Sequence, residues 1–122
     1  MRVATKDNQI LLASAARTAT LSMTTNTECT AGLFYINVTA VSLTPSVVFT
    51  IAGVEPGGSA VYTILESAAI TGTGLTVLRV HPSLTASANT IAKDMLPQCL
   101  KLTATHGDTD SITYSVGFIG VN

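Results

Sequence analysis

Apolar and polar residues alternate with period two along most of this chain, the pattern of strands with one face in a core and the other toward solvent. Within residues 17–23 every second position from Ala19 is apolar: Ala19, Leu21 and Met23. Residues 33–41 put Phe34, Ile36, Val38 and Ala40 on one face and Tyr35, Asn37, Thr39 and Val41 on the other. Pro45 breaks that run, because proline lacks an N–H and fixes φ. Residues 47–53 then resume it with Val47, Phe49 and Ile51 inward. Glu55-Pro56-Gly57-Gly58-Ser59 is the clearest turn signal in the chain, and it joins residues 47–53 to 60–66 as a hairpin. Thr71-Gly72-Thr73-Gly74 is a second punctuation, followed by a strand over 75–81. There Leu75, Val77 and Arg79 oppose Thr76, Leu78 and Val80, so both faces are expected to be partly covered.

Residues 83–97 behave differently. The stretch 83–90 is small and polar, and Ile91, Met95 and Leu96 sit at helix-like spacing before Pro97, which predicts a long connection with one helical turn. Residues 100–106 and 111–119 read as a last hairpin around Gly107-Asp108-Thr109-Asp110. This gives seven or eight strands at intervals of roughly 8–15 residues, too many apolar faces for one sheet. The expected fold is all-β: an antiparallel two-sheet β-sandwich with little helix. Its predicted core is Leu21, Phe34, Ile36, Val38, Phe49, Ile51, Ile64, Val80, Leu102, Ile112, Tyr114 and Val116. Polar Lys6-Asp7-Asn8-Gln9 before Ile10-Leu11-Leu12 reads as an arm running into a short edge strand. The expected division is therefore an arm and edge strand at 1–12 and one sandwich domain at 13–122.

Composition narrows the function classes. With 122 residues the chain is sized for one domain. Only 11% of it is charged, while Ser and Thr fill about a quarter. Six basic against seven acidic residues leave no basic stripe, so nucleic acid is not an expected partner. No apolar run reaches the roughly 18 residues of a membrane span, and the N-terminus lacks a signal-peptide layout. Low charge with a mean hydropathy of +0.47 points to a surface partly covered by a partner or by further copies of the chain.

No constellation for catalysis emerges. His81 precedes Pro82 at a strand end and His106 opens the last loop, without the convergence an acid–base or metal site needs. Asp108 and Asp110 fit a loop that satisfies its own backbone better than a calcium site, which takes six to eight oxygens. No serine lies in a Gly-x-Ser-x-Gly elbow, and Gly72-Thr73-Gly74 lacks the third glycine and following helix of a dinucleotide site. The sequon Asn37-Val38-Thr39 falls inside a predicted strand and reads as chance. Three scattered Tyr and no Trp do not make a stacking platform for sugars. Cys29 and Cys99 are too few for structural zinc; they allow a disulfide or, the ordinary reading in a reducing cytoplasm, two small buried side chains. No enzyme, cofactor or metal is expected.

Five segments carry a resemblance to small virion proteins of tailed bacteriophages: TPSVVFTI at 44–51, YTILESAAITGTG at 62–74, TVLRVHP at 76–82, TASANTIAKDMLP at 85–97 and THGDTDSITYSVG at 105–117. The similarity spans about residues 17–120. It implies a structural component of the particle, resembling capsid decoration (cement) proteins with a jelly-roll-like sandwich, and offers no catalytic residues to carry over. Relatives are expected to have Tyr where this chain has His81. The resemblance further implies the major capsid protein as partner, a homo-oligomer (trimer first, then monomer or dimer), and the virion capsid surface as location after synthesis in the bacterial host cytoplasm. Val3, Ile10, Leu11 and Leu12 are the expected contact residues, because an arm can add an edge strand to a neighbour and bury its apolar cluster at once. A tail or neck component is the rival within the same class. A carbohydrate-binding or adhesion module and a small enzyme are the rivals outside it.

Overall fold

The computed structural model of the chain describes residues 6–121. Nine strands run in order: β1 (Lys6–Arg17), β2 (Leu21–Asn26), β3 (Ala31–Val41), β4 (Val47–Val54), β5 (Val61–Glu66), β6 (Gly74–Val80), β7 (Ile91–Ala92), β8 (Cys99–His106) and β9 (Ile112–Val121). They form two sheets, ordered β1-β9-β3-β6-β7 and β2-β8-β4-β5. All pairings are antiparallel except that of β7, which lies parallel to β6. Without β7, the first strand pairs with the last, the second with the next to last, the third with the sixth and the fourth with the fifth. A ribbon of four such pairs folded over on itself is a jelly roll. The all-β sandwich expected from the alternation is therefore the observed fold.

The core lies between the sheets. Phe34, Ile36 and Val38 of β3, Val47, Phe49 and Ile51 of β4, and Ile112, Tyr114, Val116 and Phe118 of β9 are all buried. Phe49 meets Tyr114 edge-on across the sandwich at 5.0 Å between ring centres, and Phe34 packs on Phe118 at 4.9 Å. Of the predicted core, Leu21 and Ile64 are half-buried and pack on its margin, and the other ten are buried. The shift on β5 has a local cause. A bulge sets Ile51 opposite Leu65 and Ala52 opposite Thr63, so Ile64 is the extra residue and Leu65 takes the inward place. A bulge between Val38 and Ala40 likewise leaves Ala40 exposed.

Other expectations fare differently in the structure. Residues 17–23 are not one strand: the chain leaves the first sheet after Arg17 and enters the second at Leu21. Residues 83–97 form no helix, and a single helix-like turn closes at residues 87–91, where the Ser87 carbonyl accepts from the Thr90 and Ile91 N–H groups at 3.2 and 3.0 Å, instead of over residues 91–96. Other backbone groups of this stretch find partners elsewhere in the chain, with Thr90 and Ala92 carbonyls accepting from Arg79 and His81 at 2.9 and 3.0 Å, and Leu96 N–H donating to Thr30 at 2.8 Å. β8 and β9 are not a hairpin, since they lie in opposite sheets. The loop between them is tied to the β3–β4 connection, with Gly107 N–H donating to Ser46 and Thr44 N–H to Asp110 Oδ2. β1 continues past residue 12, as a twelve-residue strand on β9.

The β4–β5 hairpin is as the turn signal implied. Gly58 takes φ +84°, a conformation cheap only for glycine. The Glu55 carboxylate accepts from the Ser59 and Gly57 N–H groups at 3.1 and 2.7 Å, which holds it below the usual carboxylate range.

Candidate functional site

The two histidines lie at opposite ends of the sandwich. His81 follows β6, next to Val80, which pairs with Gly32 near the start of β3; its Nδ1 accepts from Ser83 N–H at 3.0 Å. His106 ends β8 opposite Val47, beside the loops that follow β3 and β8. The fold therefore does not bring them together. Among the described residues no three His, Cys, Asp or Glu side chains cluster as metal ligands.

His106 belongs to a structural polar cluster. Its Nε2 lies 2.9 Å from the Tyr114 hydroxyl, and its backbone N–H donates to Thr20 Oγ1 at 2.9 Å. Arg17, at the end of β1, places its guanidinium 4.6 Å over the Tyr114 ring and donates to the Tyr114, Ala15 and Ala13 carbonyls. The bond to Tyr114 fastens the end of β1 to β9, and the other two stay within β1. Burial pushes the Tyr114 hydroxyl up to about 12, so it keeps its proton at any ordinary pH.

Burial also lowers the His106 pKa, opposed by the nearby Asp108 carboxylate and assisted by Arg17. Its Nδ1 is enclosed with no hydrogen-bond partner among the described residues, so an added proton there finds no acceptor. A group whose folded pKa lies below its unfolded value contributes stability above the unfolded pKa, which is lost as pH falls. The expected result is a lower urea midpoint at pH 5.5 than at pH 7.5 for the wild type. His106→Gln should flatten that difference, while an unchanged slope in the variant would assign it to other groups. Glu55, also lowered, acts only below about 4.5 and stays out of this window.

Asp108 and Asp110 shape their loop. Asp110 N–H donates to Asp108 Oδ1 at 3.0 Å, and Asp110 Oδ2 receives the Thr44 N–H at 3.2 Å. Next to this tie Leu43 stands 82% exposed with φ +61°. Cys29 packs over Gly120, and Cys99 is half-buried on β8. A surface cleft of about 540 Å³ lies between the β4–β5 turn and residues 97–99, with Tyr62 and two prolines on its walls. A single aromatic ring there, lying over Gly53, makes no stacked pair for sugars.

Of the expected contact residues, Val3 lies outside the described residues. The Ile10-Leu11-Leu12 cluster divides. Leu11 is buried in the chain's own core and Leu12 packs against it, while Ile10 is 78% exposed on the outside of the first sheet. An internal strand pairing thus absorbs two of the three side chains assigned to a partner.

The outer faces of the two sheets differ. On the four-stranded sheet the cross-strand rows are Ser22-Thr103-Thr50-Glu66 and Thr24-Lys101-Ala52-Thr63, rich in hydroxyls and charge. On the five-stranded sheet they are Ile10-Gly117-Tyr35-Val77, Asn8-Ile119-Leu33-Arg79-Ile91 and Ser115-Asn37-Leu75, predominantly apolar with one charge and with Asn8, Asn37 and Ser115 toward the margins. Sequence reasoning missed this second face. Its residues come from five strands far apart in the chain, and only the register lines them up.

Neither a protein-family model nor a curated protein matches the chain. Among solved structures, it is similar to a chain in the structure of infectious bursal disease virus Gx strain, with a TM-score of 0.49 and 10% sequence identity. The alignment covers 98% of this chain and 32% of that one, so this chain spans about a third of its length.

Proposed function

We propose that the protein is a structural component of a tailed-phage virion, a decoration protein that binds the assembled head and stabilises it without catalysis. The strand order carries this reading. The phage virion resemblance over residues 17–120 implies a jelly-roll-like sandwich, and β1-β9-β3-β6 over β2-β8-β4-β5 is that arrangement. The separation of the two histidines and the structural roles of Asp108 and Asp110 support a non-catalytic part. Net charge near −1 leaves apolar burial as the main source of affinity, so binding depends weakly on salt.

The test adds purified chain to heads that lack it. Saturable binding and a higher temperature of head opening are expected. Recovery on tails alone would overturn decoration in favour of a tail component, and binding to neither particle part would overturn the virion reading.

A further inference from the structure

We propose that the outer face of the five-stranded sheet is a homodimer interface, on which two copies of this chain pack face to face about a two-fold axis. The inference goes beyond the virion reading and does not depend on it, since it concerns the chain alone in solution.

The face has the shape of one half of a sandwich core. Ile10, Gly117, Tyr35 and Val77 lie in one cross-strand row, each the Cα partner of the next. Ile119 and Leu33 continue the apolar surface in the row beside it, and Leu75 stands 62% exposed on the other side of Val77. Sheets whose faces look like this pack against each other about 10 Å apart. The four long strands about 4.8 Å apart, with seven residues at about 3.3 Å each, make a face on the order of 400 Å² in projection. That is of the same order as the roughly 800 Å² each partner gives to a standard interface.

The relief of the face points to a second copy as its occupant. Ile10 stands up from β1 with 78% of its surface exposed. Directly beside it on β9, Gly117 leaves a hollow of about 430 Å³ between Ile10 and Tyr35. A Cβ built on Gly117 would meet nothing closer than the Gln9 carbonyl at 3.9 Å, so sterics within the chain do not require glycine there. Bump and hollow on one patch are what an isologous contact uses: the two-fold operator sets each Ile10 at its partner's hollow and the reverse. Charge agrees, because the row-forming residues include Arg79 and no carboxylate, leaving little to repel a copy. The edge of the same sheet is a poorer docking place. β1 is interrupted by register shifts at Ile10/Leu12 and Leu12/Ala15, and Arg17 occupies the Ala13 and Ala15 carbonyls. The hydroxyl-rich outer face of the other sheet stays free in such a dimer.

Sedimentation equilibrium of the purified chain tests this. The wild type is expected to be dimeric at micromolar concentration, with a dissociation constant insensitive to a roughly tenfold rise in salt. Ile10→Glu should weaken association by on the order of 100-fold, because a carboxylate would be buried without a partner. Thr24→Glu, on the opposite sheet, should leave it unchanged. Gly117→Val gives an independent readout: β-branching suits a strand, so the thermal midpoint of the monomer should hold or rise while association weakens. A wild type that is monomeric at about 100 μM, where a standard interface would be populated, overturns the proposal. So does a trimer, and so does a dimer indifferent to both Ile10→Glu and Gly117→Val.

Discussion

Phe49→Ala is expected to lower the stability of the fold by about 3–5 kcal/mol, read as a loss of urea midpoint with an unchanged slope. Phe49 has no exposed surface and is the third residue of β4. Its ring is the edge-on partner of Tyr114 at 5.0 Å, so one side chain of each sheet meets the other there. Truncation removes apolar burial and opens a cavity that rigid flanking strands cannot close. It also strips one wall from a tyrosine whose hydroxyl holds His106 and whose ring carries Arg17. Loss of the T-shaped pair adds about 0.5–1.5 kcal/mol beyond area. A change below about 0.5 kcal/mol, the scale of exposed sites, would mean that the sheets do not meet at this point.

Leu11→Ala and Ile10→Ala should separate widely although the residues are neighbours. Leu11 belongs to the core cluster, so its truncation is expected to cost about 2–4 kcal/mol. Ile10 points outward, and its truncation should change the unfolding free energy of the monomer by less than about 0.5 kcal/mol. Measurements at concentrations that favour the monomer keep association out of the comparison. Equal small effects would return residues 10–12 to the arm role expected from their sequence. The same difference explains why deleting residues 1–12 is a poor probe of partner binding. Such a deletion removes most of the ladder between β1 and β9 together with a core leucine.

The contrast shows which parts of this fold were readable in the sequence. Period-two alternation places Phe34-Ile36-Val38, Val47-Phe49-Ile51 and Ile112-Tyr114-Val116 inward, because a strand's faces follow from local geometry alone. Sheet membership is not local. Gly107-Asp108-Thr109-Asp110 has the chemistry of a hairpin loop, and the same αL-tolerant residues serve equally well to carry the chain between sheets. Bulges are also invisible to alternation, which is why Ile64 and Leu65 exchange places on β5. A run such as Ile10-Leu11-Leu12 has no period, so its inward and outward members emerge only from pairing with Gly117 and Val116. The apolar row across four strands needs every one of those registers at once.

The pairing of β1 with β9, from Lys6 opposite Val121 to Arg17 opposite Ile112, sets the order in which a nascent chain can mature. The strand synthesised first has its ladder on the strand synthesised last. At about 5–20 residues per second, β1 leaves the ribosome on the order of ten seconds before β9 exists to receive it. During that interval Leu11 and Leu12 lack the cover that the finished sandwich gives them, and β3 lacks one of its two neighbours. High contact order of this kind slows folding and prolongs the aggregation-prone stage. Slower translation at low temperature lengthens the wait, whereas holding β1 with a chaperone until release protects it. Yield of soluble chain should therefore respond more to chaperone supply than to induction temperature.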